Sequence, residues 1–356
     1  MSRHYLNLTS RAWRQLRRNW RIAPNPIFLW QTYVPGMLLS ATAGLQRSVS
    51  KDKLRQANLD NAIVILGYWR SGTTLLHELL CLDQRRTFPS THACMNPHHF
   101  MLTEASTLAR GGPGIQRPMD EMEVRPASPQ EDEFALLSLG ARSPYEALIE
   151  PRRLPEALLT ADPADLSNQE EHEWREVFLE FIRGVSVCGG ARPLIIKSPT
   201  HGYRVTTLRK LLPDARYIVI ARNPDTHFES VVRMWRKMFE TYHLSPIPSD
   251  DEIRAAVLAD RPRFESKLHS GIEGLPPNRL SILTYESLVA DPIGSCERLF
   301  SSLELGDFEP VRPAIQADVE KRKEYRAKGK KPEGEWRDRI NAEWGPVFDR
   351  YGYRHL

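Results

Sequence analysis

A short loop at residues 67–74 carries the side chains best suited to bind a charged ligand. It reads Gly-Tyr-Trp-Arg-Ser-Gly-Thr-Thr, and Gly67 and Gly72 have the spacing of a phosphate-binding loop. Loops that bind nucleoside triphosphates have a lysine where this chain has Thr73, and here the cation, Arg70, lies inside the loop. Such a loop suits a nucleotide with a 5′ anion and no triphosphate. The predicted anion ligands are Gly67, Arg70, Ser71, Gly72, Thr73 and Thr74.

The residues on either side of the loop predict a strand before it and a helix after it. The apolar run 63–66 precedes the loop, and leucines recur at helical spacing over 75–80. A tight turn that uses glycines for backbone geometry and threonines as helix caps is the alternative. The strand, loop and helix occur in the order that phosphate binding requires, which favours the anion site.

A second pair of polar residues follows a later strand. The segment 216–221 predicts this strand, and Asn223 with Pro224 predicts the start of a helix. Arg222 lies at the strand end, and Ser230 lies two turns into the helix. Magnesium-dependent nucleotide enzymes more often place an acidic residue at such a strand end, so Arg222 disfavours kinase chemistry. A surface ion pair for Arg222 and a local backbone bond for Ser230 are the alternatives.

These motifs resemble the sulfotransferases that use 3′-phosphoadenosine 5′-phosphosulfate, in particular the bacterial and tyrosylprotein-like branch. The 5′-phosphosulfate loop of that family reads Arg/Lys-Ser-Gly-Thr-Thr, which matches residues 70–74. The resemblance implies that Arg222 and Ser230 hold the 3′-phosphate of this co-substrate. It also implies an α/β fold, with a three-layer, P-loop-like parallel sheet that has helices on both faces.

Two C-terminal segments extend the resemblance. Residues 284–292 are similar to a family landmark that helps to shape the site. Arg326, Lys328 and Gly329, followed by Gly-Glu-Trp at 334–336, look like a looser version of the stretch that closes over the 3′-phosphate in cytosolic sulfotransferases. A solvated basic loop is the alternative for this last segment.

The implied reaction moves a sulfuryl group in line from the phosphosulfate to an acceptor oxygen or nitrogen. Negative charge develops on the bridging and equatorial oxygens, so cations and N–H donors must already be in place. Arg70 is assigned to the leaving-group side. Lys197 ends the predicted strand at 194–196 and resembles the strand-end lysine of the family, although a lysine snorkelling at a sheet edge is the alternative. No metal is required.

Two residues rank first as the general base that takes the proton from the acceptor. His201 follows the strand-end lysine but is displaced by two positions from the family's Lys-Thr-His arrangement, and Glu131 precedes an apolar helical pattern. His201 as a helix-capping partner, and Glu131 with Asp132 as acids favoured by a helix dipole, are the alternatives. A base needs hydrogen-bond reach and a suitable pKa, which a sequence does not provide.

The segment 91–100 is rich in histidine and aromatic residues. Its spacing of His92, Cys94, His98 and His99 fits no familiar zinc pattern, so we predict the wall of an acceptor pocket and not a metal site. Stacking on a sugar and packing on a lipid both remain open.

Composition indicates an enzyme without a nucleic-acid partner. The chain has 356 residues and a formal net charge of +4, which is short of the dense basic surface of nucleic-acid binders. Four cysteines without paired close spacing predict reduced core thiols and a cytoplasmic location.

The first 60 residues predict a basic, aromatic extension before a sulfotransferase domain at 61–356. Arginines interleave with Leu6, Trp13, Leu16, Trp20 and Ile22, so this region could lie on the inner face of a membrane or dock on the catalytic domain. The uncharged stretch 22–46 is interrupted by prolines and polar residues, which disfavours a membrane span.

The sequence therefore predicts a sulfotransferase that modifies a hydroxyl of a carbohydrate, lipid or small metabolite whose identity is open. A nucleotide kinase or a non-catalytic nucleotide-binding module is the alternative, and an inactive family member that acts as a scaffold is a third.

Overall fold

The structure is a computed structural model that describes residues 7–20, 26–117, 123–322 and 331–356. Its strands are β1 (Ile63–Leu66), β2 (Ile115–Gln116), β3 (Glu123–Val124), β4 (Ile195–Lys197), β5 (Arg216–Ala221) and β6 (Leu280–Thr284). Its α-helices are α1 (Ser10–Trp20), α2 (Pro26–Leu54), α3 (Thr73–Leu80), α4 (Thr91–Met95), α5 (Phe100–Arg110), α6 (Glu133–Leu139), α7 (Leu154–Leu158), α8 (Asn168–Cys188), α9 (Val205–Leu211), α10 (Pro224–Tyr242), α11 (Asp250–Ile272), α12 (Tyr285–Ala290), α13 (Pro292–Ser302), α14 (Arg312–Lys321) and α15 (Glu335–Tyr351).

The chain divides into two compact units. The first contains Met1–Leu59, Thr87–Leu194 and Lys237–Pro248, and the second contains Asp60–Arg86, Ile195–Arg236 and Ser249–Leu356. The first unit is mainly helical, whereas the second holds the four-stranded sheet.

The sheet of the second unit has the strand order β4-β1-β5-β6, and its strands are parallel. Ile63 of β1 pairs with Ile195 on one side and with Arg216 on the other. Strand β1 is buried along its whole length, as expected for a central strand between two layers of helices. The predicted α/β class, with a parallel sheet flanked by helices, is confirmed.

Parallel strands bring the residues that follow them to one edge of the sheet. Gly67 follows β1 and Arg222 follows β5, while Lys197 is the last residue of β4. Thr284 ends β6 and caps α12, because its side chain accepts a hydrogen bond from the Ser287 N–H. The predicted anion residues of the second unit therefore meet at the carboxyl edge of the sheet.

Some predicted boundaries differ from the structure. Segment 111–129 is rich in proline and glycine, which predicts a loop, but it contains the antiparallel ribbon of β2 and β3. Apolar residues at helical spacing over 203–212 predict a helix, and the helix begins at Val205, because a 3-10 turn at Pro199–Gly202 precedes it. Of the predicted core thiols, Cys94 and Cys296 are buried, whereas Cys188 ends α8 and is exposed.

The N-terminal helix α1 packs through the residues that the sequence offered as membrane anchors. Trp13 and Leu16 are buried within the first unit, together with Leu8. Helix packing within the first unit therefore covers these two side chains, for which the sequence left membrane contact and docking on the protein both open. Within the described residues, none of the helices combines the length and the apolar character needed to cross a membrane.

Candidate active site

The loop between β1 and α3 has a backbone that two glycines make possible. A Cβ atom at Gly67 would collide with the side chains of Ser71, Thr73 and Ile220, and Gly72 has a φ of 100°. Gly72 precedes α3 without a side-chain cap on the helix. The N–H groups of the first turn are thus left to a ligand, and the helix N-terminus favours a negative charge there.

Arg70 connects the loop to the second predicted anion pair. Its φ of 66° lies in the left-handed region, which is uncommon for a residue with a side chain and occurs at ligand sites. Its Nε atom lies 3.4 Å from the Ser230 hydroxyl, and its main-chain oxygen accepts a 2.8 Å hydrogen bond from Arg222 Nη1. The structure therefore brings Arg70, Arg222 and Ser230 together, as the sequence predicted.

Arg222 is a buried cation with donor capacity to spare. Its side chain is 8% exposed, and its guanidinium lies over the ring of Tyr285 at 4.5 Å. Burial lowers the pKa of Arg222, and the neighbouring charge of Arg70 lowers it further, although an arginine keeps its proton. Its Nε atom and the buried Ser71 hydroxyl have no hydrogen-bond partner among the described residues. Both groups fit an anionic oxygen, because buried donors are normally satisfied.

Lys197 lies at the same edge. It is buried at the end of β4, and its Nζ atom lies 3.4 Å from the Thr74 hydroxyl. This contact places the lysine beside the first turn of α3, where the phosphosulfate is predicted to bind. A snorkelling surface lysine, the alternative considered for the sequence, does not describe this buried position.

A buried histidine on α10, His227, supports the loop between β1 and α3. The sequence pattern did not single it out. His227 donates through Nε2 to the main-chain oxygen of Trp69, at 2.6 Å, and its Nδ1 accepts from Arg261 Nη1, at 3.2 Å. Arginine only donates, so the two bonds specify the neutral tautomer with the proton on Nε2. Burial, reinforced by the positive Arg261 and Arg222, holds the pKa of His227 well below its usual value. Arg261 is held in turn by Glu265, at 2.6 Å.

A buried carboxyl with two tyrosines lies in the same region. Asp260 accepts hydrogen bonds from Tyr68, at 2.9 Å, and from Tyr203. Burial raises the pKa of Asp260 to about 6, although both tyrosine hydrogen bonds act in the opposite direction. Tyr68 belongs to the predicted anion loop, so Asp260 and His227 hold adjacent residues of that loop from α11 and α10.

Only part of this support could have been read from the sequence. His227 lies three residues before Ser230, so both face the same side of a predicted helix, and this spacing was the available signal. Asp260 is distant in sequence from the loop, and only the tertiary fold brings it to Tyr68.

The two candidate bases belong to different units and have different surroundings. His201 is 0% exposed in the 3-10 turn of the second unit. Glu131 belongs to the first unit, where its carboxylate accepts a hydrogen bond from Tyr145 and lines a cavity. Of the two, Glu131 is the one that borders space for a ligand.

That cavity of the first unit has a volume of about 420 Å³. Half of its sixteen lining residues are apolar, and the polar half includes His92, Glu131 and two arginines, Arg117 and Arg125. It is lined by Thr91, His92, Met95, Asn96, Pro113, Ile115, Gln116, Arg117, Val124, Arg125, Pro126, Gln130, Glu131, Phe134, Met238 and Tyr242. A cavity whose apolar walls are combined with polar groups is typical of a small-molecule site.

The histidines of segment 91–100 are engaged with their own neighbours. His92 and His99 each contact the Thr103 hydroxyl at 2.9 Å, and burial lowers the pKa of His98 to about 4. In the described part of the chain, no three His, Cys, Asp or Glu side chains are grouped so as to hold a metal ion.

The C-terminal residues predicted to close over the nucleotide, Arg326, Lys328 and Gly329, lie outside the described residues. The segment that follows them contacts α10, the helix that carries Ser230. Lys331 pairs with Asp225 at 2.5 Å, and the ring of Trp336 lies 6.0 Å from that of Phe228. The landmark at 284–292 reaches the same region, since Glu286 accepts a hydrogen bond from the Asn223 N–H and Tyr285 packs against Gly72 and Arg222.

Comparisons with known proteins match the chain to a family, to curated relatives and to solved structures. The model of the Sulfotransferase family matches residues 62–310. Two relatives, each described as omega-hydroxy-beta-dihydromenaquinone-9 sulfotransferase Stf3, come from Mycobacterium bovis (strain ATCC BAA-935 / AF2122/97) and Mycobacterium tuberculosis (strain CDC 1551 / Oshkosh). Each is 34% identical over 298 residues, which is 83% of this chain and 76% of the relative.

Two solved structures share the fold. Sulfotransferase STF9 from Mycobacterium avium aligns with a TM-score of 0.67 and 16% identity, covering 96% of this chain and 92% of its own. Sulfotransferase STF1 from Mycobacterium tuberculosis H37Rv aligns with a TM-score of 0.60 and 17% identity, covering 78% of this chain and 76% of its own. The alternative of a nucleotide kinase finds no support among these matches.

Proposed function

The chain belongs to the sulfotransferase family, and from that premise we propose that it transfers a sulfuryl group from 3′-phosphoadenosine 5′-phosphosulfate to the hydroxyl of an apolar acceptor. One observation carries the donor assignment: a single loop residue, Arg70, contacts both Arg222 and Ser230. The loop is thereby linked to a second group of anion ligands, as a nucleotide with a 5′ and a 3′ anion requires.

The donor roles follow from the position of each group. The N–H groups at the start of α3, with Ser71, Thr73 and Thr74, would hold the 5′-phosphosulfate, and Gly67 and Gly72 allow the backbone to approach it. Arg222 and Ser230 would hold the 3′-phosphate. Arg326, Lys328 and Gly329 keep their predicted role of covering that phosphate. The orphaned donors of Arg222 and Ser71 support this assignment, since each fits an anionic oxygen.

The chemical step is an in-line displacement at sulfur. The acceptor oxygen forms a bond to sulfur while the bond between sulfur and the bridging phosphate oxygen breaks, and the bisphosphate leaves. Arg70 and Lys197 would stabilise the charge that develops on the bridging and equatorial oxygens, and no metal takes part. Arg70 would exchange its contact with Ser230 for one with the leaving group.

The acceptor hydroxyl must lose its proton, and we assign Glu131 as the base, with His201 second. Glu131 lines the cavity of the first unit, whereas His201 is fully buried. The hydrogen bond from Tyr145 orients the carboxylate of Glu131, and a carboxylate at the edge of a cavity can accept a proton from a bound hydroxyl.

An apolar acceptor is supported by the cavity and by the relatives. Most of the surface that lines the cavity is apolar, although half of the lining residues are polar or charged, and its volume suits the hydroxylated end of a lipid or a small apolar metabolite. The Stf3 relatives, by their descriptions, act on a hydroxylated dihydromenaquinone. An enzyme that modifies a lipid would meet its acceptor at the cytoplasmic face of a membrane. Peripheral membrane contact through the N-terminal region is therefore part of this proposal.

Calorimetry tests the donor assignment. We expect adenosine 3′,5′-bisphosphate to bind more tightly than ATP with magnesium, and the reverse order would overturn the proposal. For the acceptor, incubation with radiolabelled donor and lipid or polar extracts should label an apolar product. Label confined to a carbohydrate product would refute the acceptor class while leaving the donor site intact.

A further inference from the structure

Helix α2 exposes a continuous apolar stripe. Trp30, Leu38 and Val49 are 75%, 66% and 58% exposed, and Val34, Met37 and Leu45 are exposed between them. Their spacing places all six on one side of the helix, over a length of roughly 28 Å. Scattered apolar surface residues are ordinary, but a contiguous apolar patch marks an interaction surface.

The opposite side of α2 is small and polar, and it is this side that packs inward. Ser40 bonds to Ser10 at 2.8 Å, and Gln46 donates to the Pro97 oxygen at 2.9 Å. A Cβ atom at Gly36 would lie 3.1 Å from the backbone of Leu8 and Ser10, so the helix approaches that backbone closely. A helix on the surface of a globular protein normally turns its apolar side to the core. Helix α2 has the opposite arrangement, so its apolar side is available to a partner outside the described residues.

The charge of this region limits what that partner is. The first 56 residues contain ten arginines and lysines and a single acidic residue, Asp52, although the whole chain has a net charge of only +4. The rest of the chain is therefore negative in balance. Arg14, Arg17 and Arg18 are exposed on α1, which packs against α2, and Lys51, Lys53 and Arg55 are exposed at or just beyond the end of α2.

We propose that α2 docks on an anionic lipid surface, with its apolar stripe in the headgroup region and the basic side chains at the end of the helix against the lipid charges. An exposed apolar stripe beside basic residues is the pattern of helices that lie on a membrane. Association with a second copy through the same stripe would bring two strongly positive regions together, which disfavours it. This proposal rests on the membrane contact in the proposed function, and it assigns that contact to α2 and not to α1.

Vesicle flotation of the full chain tests the proposal without donor or acceptor, so its outcome is separate from that of sulfotransfer. The protein should float with vesicles of phosphatidylglycerol and phosphatidylcholine in equal parts, and far less with phosphatidylcholine alone. High salt should reduce the binding, since surface charges are screened. Equal flotation with both vesicle types, or none with either, would overturn the proposal.

A matched pair of variants locates the surface. Leu38→Glu with Leu45→Glu should lower vesicle partitioning by on the order of tenfold or more, because two apolar contacts with lipid are replaced by negative charges. Leu102→Glu with Leu159→Glu is the control, since both leucines are exposed elsewhere in the same unit. Equal losses in the two double variants would contradict a docking role for α2.

Light scattering without vesicles tests whether a second copy of the chain covers the apolar stripe of α2. The wild-type chain and the α2 variant should have the same molar mass. A dimer that the α2 variant converts to a monomer would assign the stripe to a second copy and overturn the lipid proposal. Thermal unfolding should confirm that both double variants fold, which is expected because all four leucines are exposed.

Discussion

The Nε2 atom of His227 lies 2.6 Å from the main-chain oxygen of Trp69, the residue directly before the loop arginine. This hydrogen bond comes from the helix that also carries Ser230, so one helix supplies a candidate phosphate ligand and a support for the opposing loop. Because Arg70 has a left-handed backbone, the loop depends on such contacts to keep its shape. His227 is thus a positioning residue for the donor site.

Replacing His227 should therefore weaken donor binding without removing any ligand contact. We expect His227→Ala to weaken adenosine 3′,5′-bisphosphate binding by about tenfold, because the buried oxygen of Trp69 loses its donor. His227→Gln should restore much of the affinity, since its amide can donate to Trp69 and accept from Arg261. Calorimetry measures both. A lower melting temperature with unchanged affinity would indicate a purely structural role.

Arg222→Ala should separate ligands with a 3′-phosphate from ligands without one. A charge-assisted contact worth roughly 1.5–3 kcal/mol would be lost for adenosine 3′,5′-bisphosphate, whereas adenosine 5′-phosphate should lose only the smaller part that comes from the missing hydrogen bond to the Arg70 oxygen. Arg236→Ala, which removes an ion pair with Asp250 in the same unit, is the control. Equal losses for both nucleotides would refute the 3′-phosphate role.

Lys197→Ala should reduce turnover more than donor affinity. The lysine lies against Thr74 at the start of α3, where it would meet charge that grows in the transition state. Steady-state kinetics should show a kcat lower by about a hundredfold or more, with a donor Kd changed by only a few fold. Lys210→Ala, on the exposed side of α9, serves as the control. An effect confined to Kd would contradict the assignment.

The choice between the two bases can be made from paired variants. Glu131→Gln should lower kcat by about 10²–10⁴-fold, because general-base catalysis contributes about that much. His201→Gln should leave kcat within about a few fold of the wild-type value if His201 is a structural residue. The opposite pattern would exchange the two roles.

The raised pKa of Asp260 should make the free energy of unfolding depend on pH. Its pKa is about 6 in the folded chain, above the ~3.9 of an unfolded aspartate, so the folded state binds the proton more tightly. The stabilising contribution is complete below about pH 4 and is lost as the pH rises through about 6. It amounts to about 3 kcal/mol.

Urea unfolding of wild type and Asp260→Asn between these pH values measures this effect. The stability difference between the two proteins should change with pH, in favour of the variant at the higher pH, because the asparagine side chain has no charge to bury. Parallel stability profiles would show that Asp260 does not titrate in this range.

Much of the donor site could be predicted from the sequence because its signals are local. The strand–loop–helix pattern around Gly67 and Gly72 depends on neighbours within a few residues, and the cap at Asn223 placed Arg222 and Ser230 in relation to one helix. The parallel sheet then brings their strand ends to one edge, which follows from the alternation of strands and helices.

The supports of that site could not be predicted in the same way. Asp260 meets Tyr68 and Tyr203 across long sequence separations, and nothing in the local pattern of α11 distinguishes it from a surface acid. The sequence also could not decide between Glu131 and His201 as the base. Burial and the lining of a cavity distinguish them, and both are properties of the folded chain.

By itself, the sequence determined the secondary elements, the anion loop and the family, because these depend on residue types at short spacing. Only the tertiary structure decided which sides of the N-terminal helices face outward. Periodicity reveals that a helix has an apolar side but not where it points, since that depends on what packs against it. The apolar side of α1 is buried, whereas α2 buries its small, polar side. Gly36 and Ser40 let α2 approach a neighbouring backbone closely, and a side chain as large as Leu38 would prevent that approach.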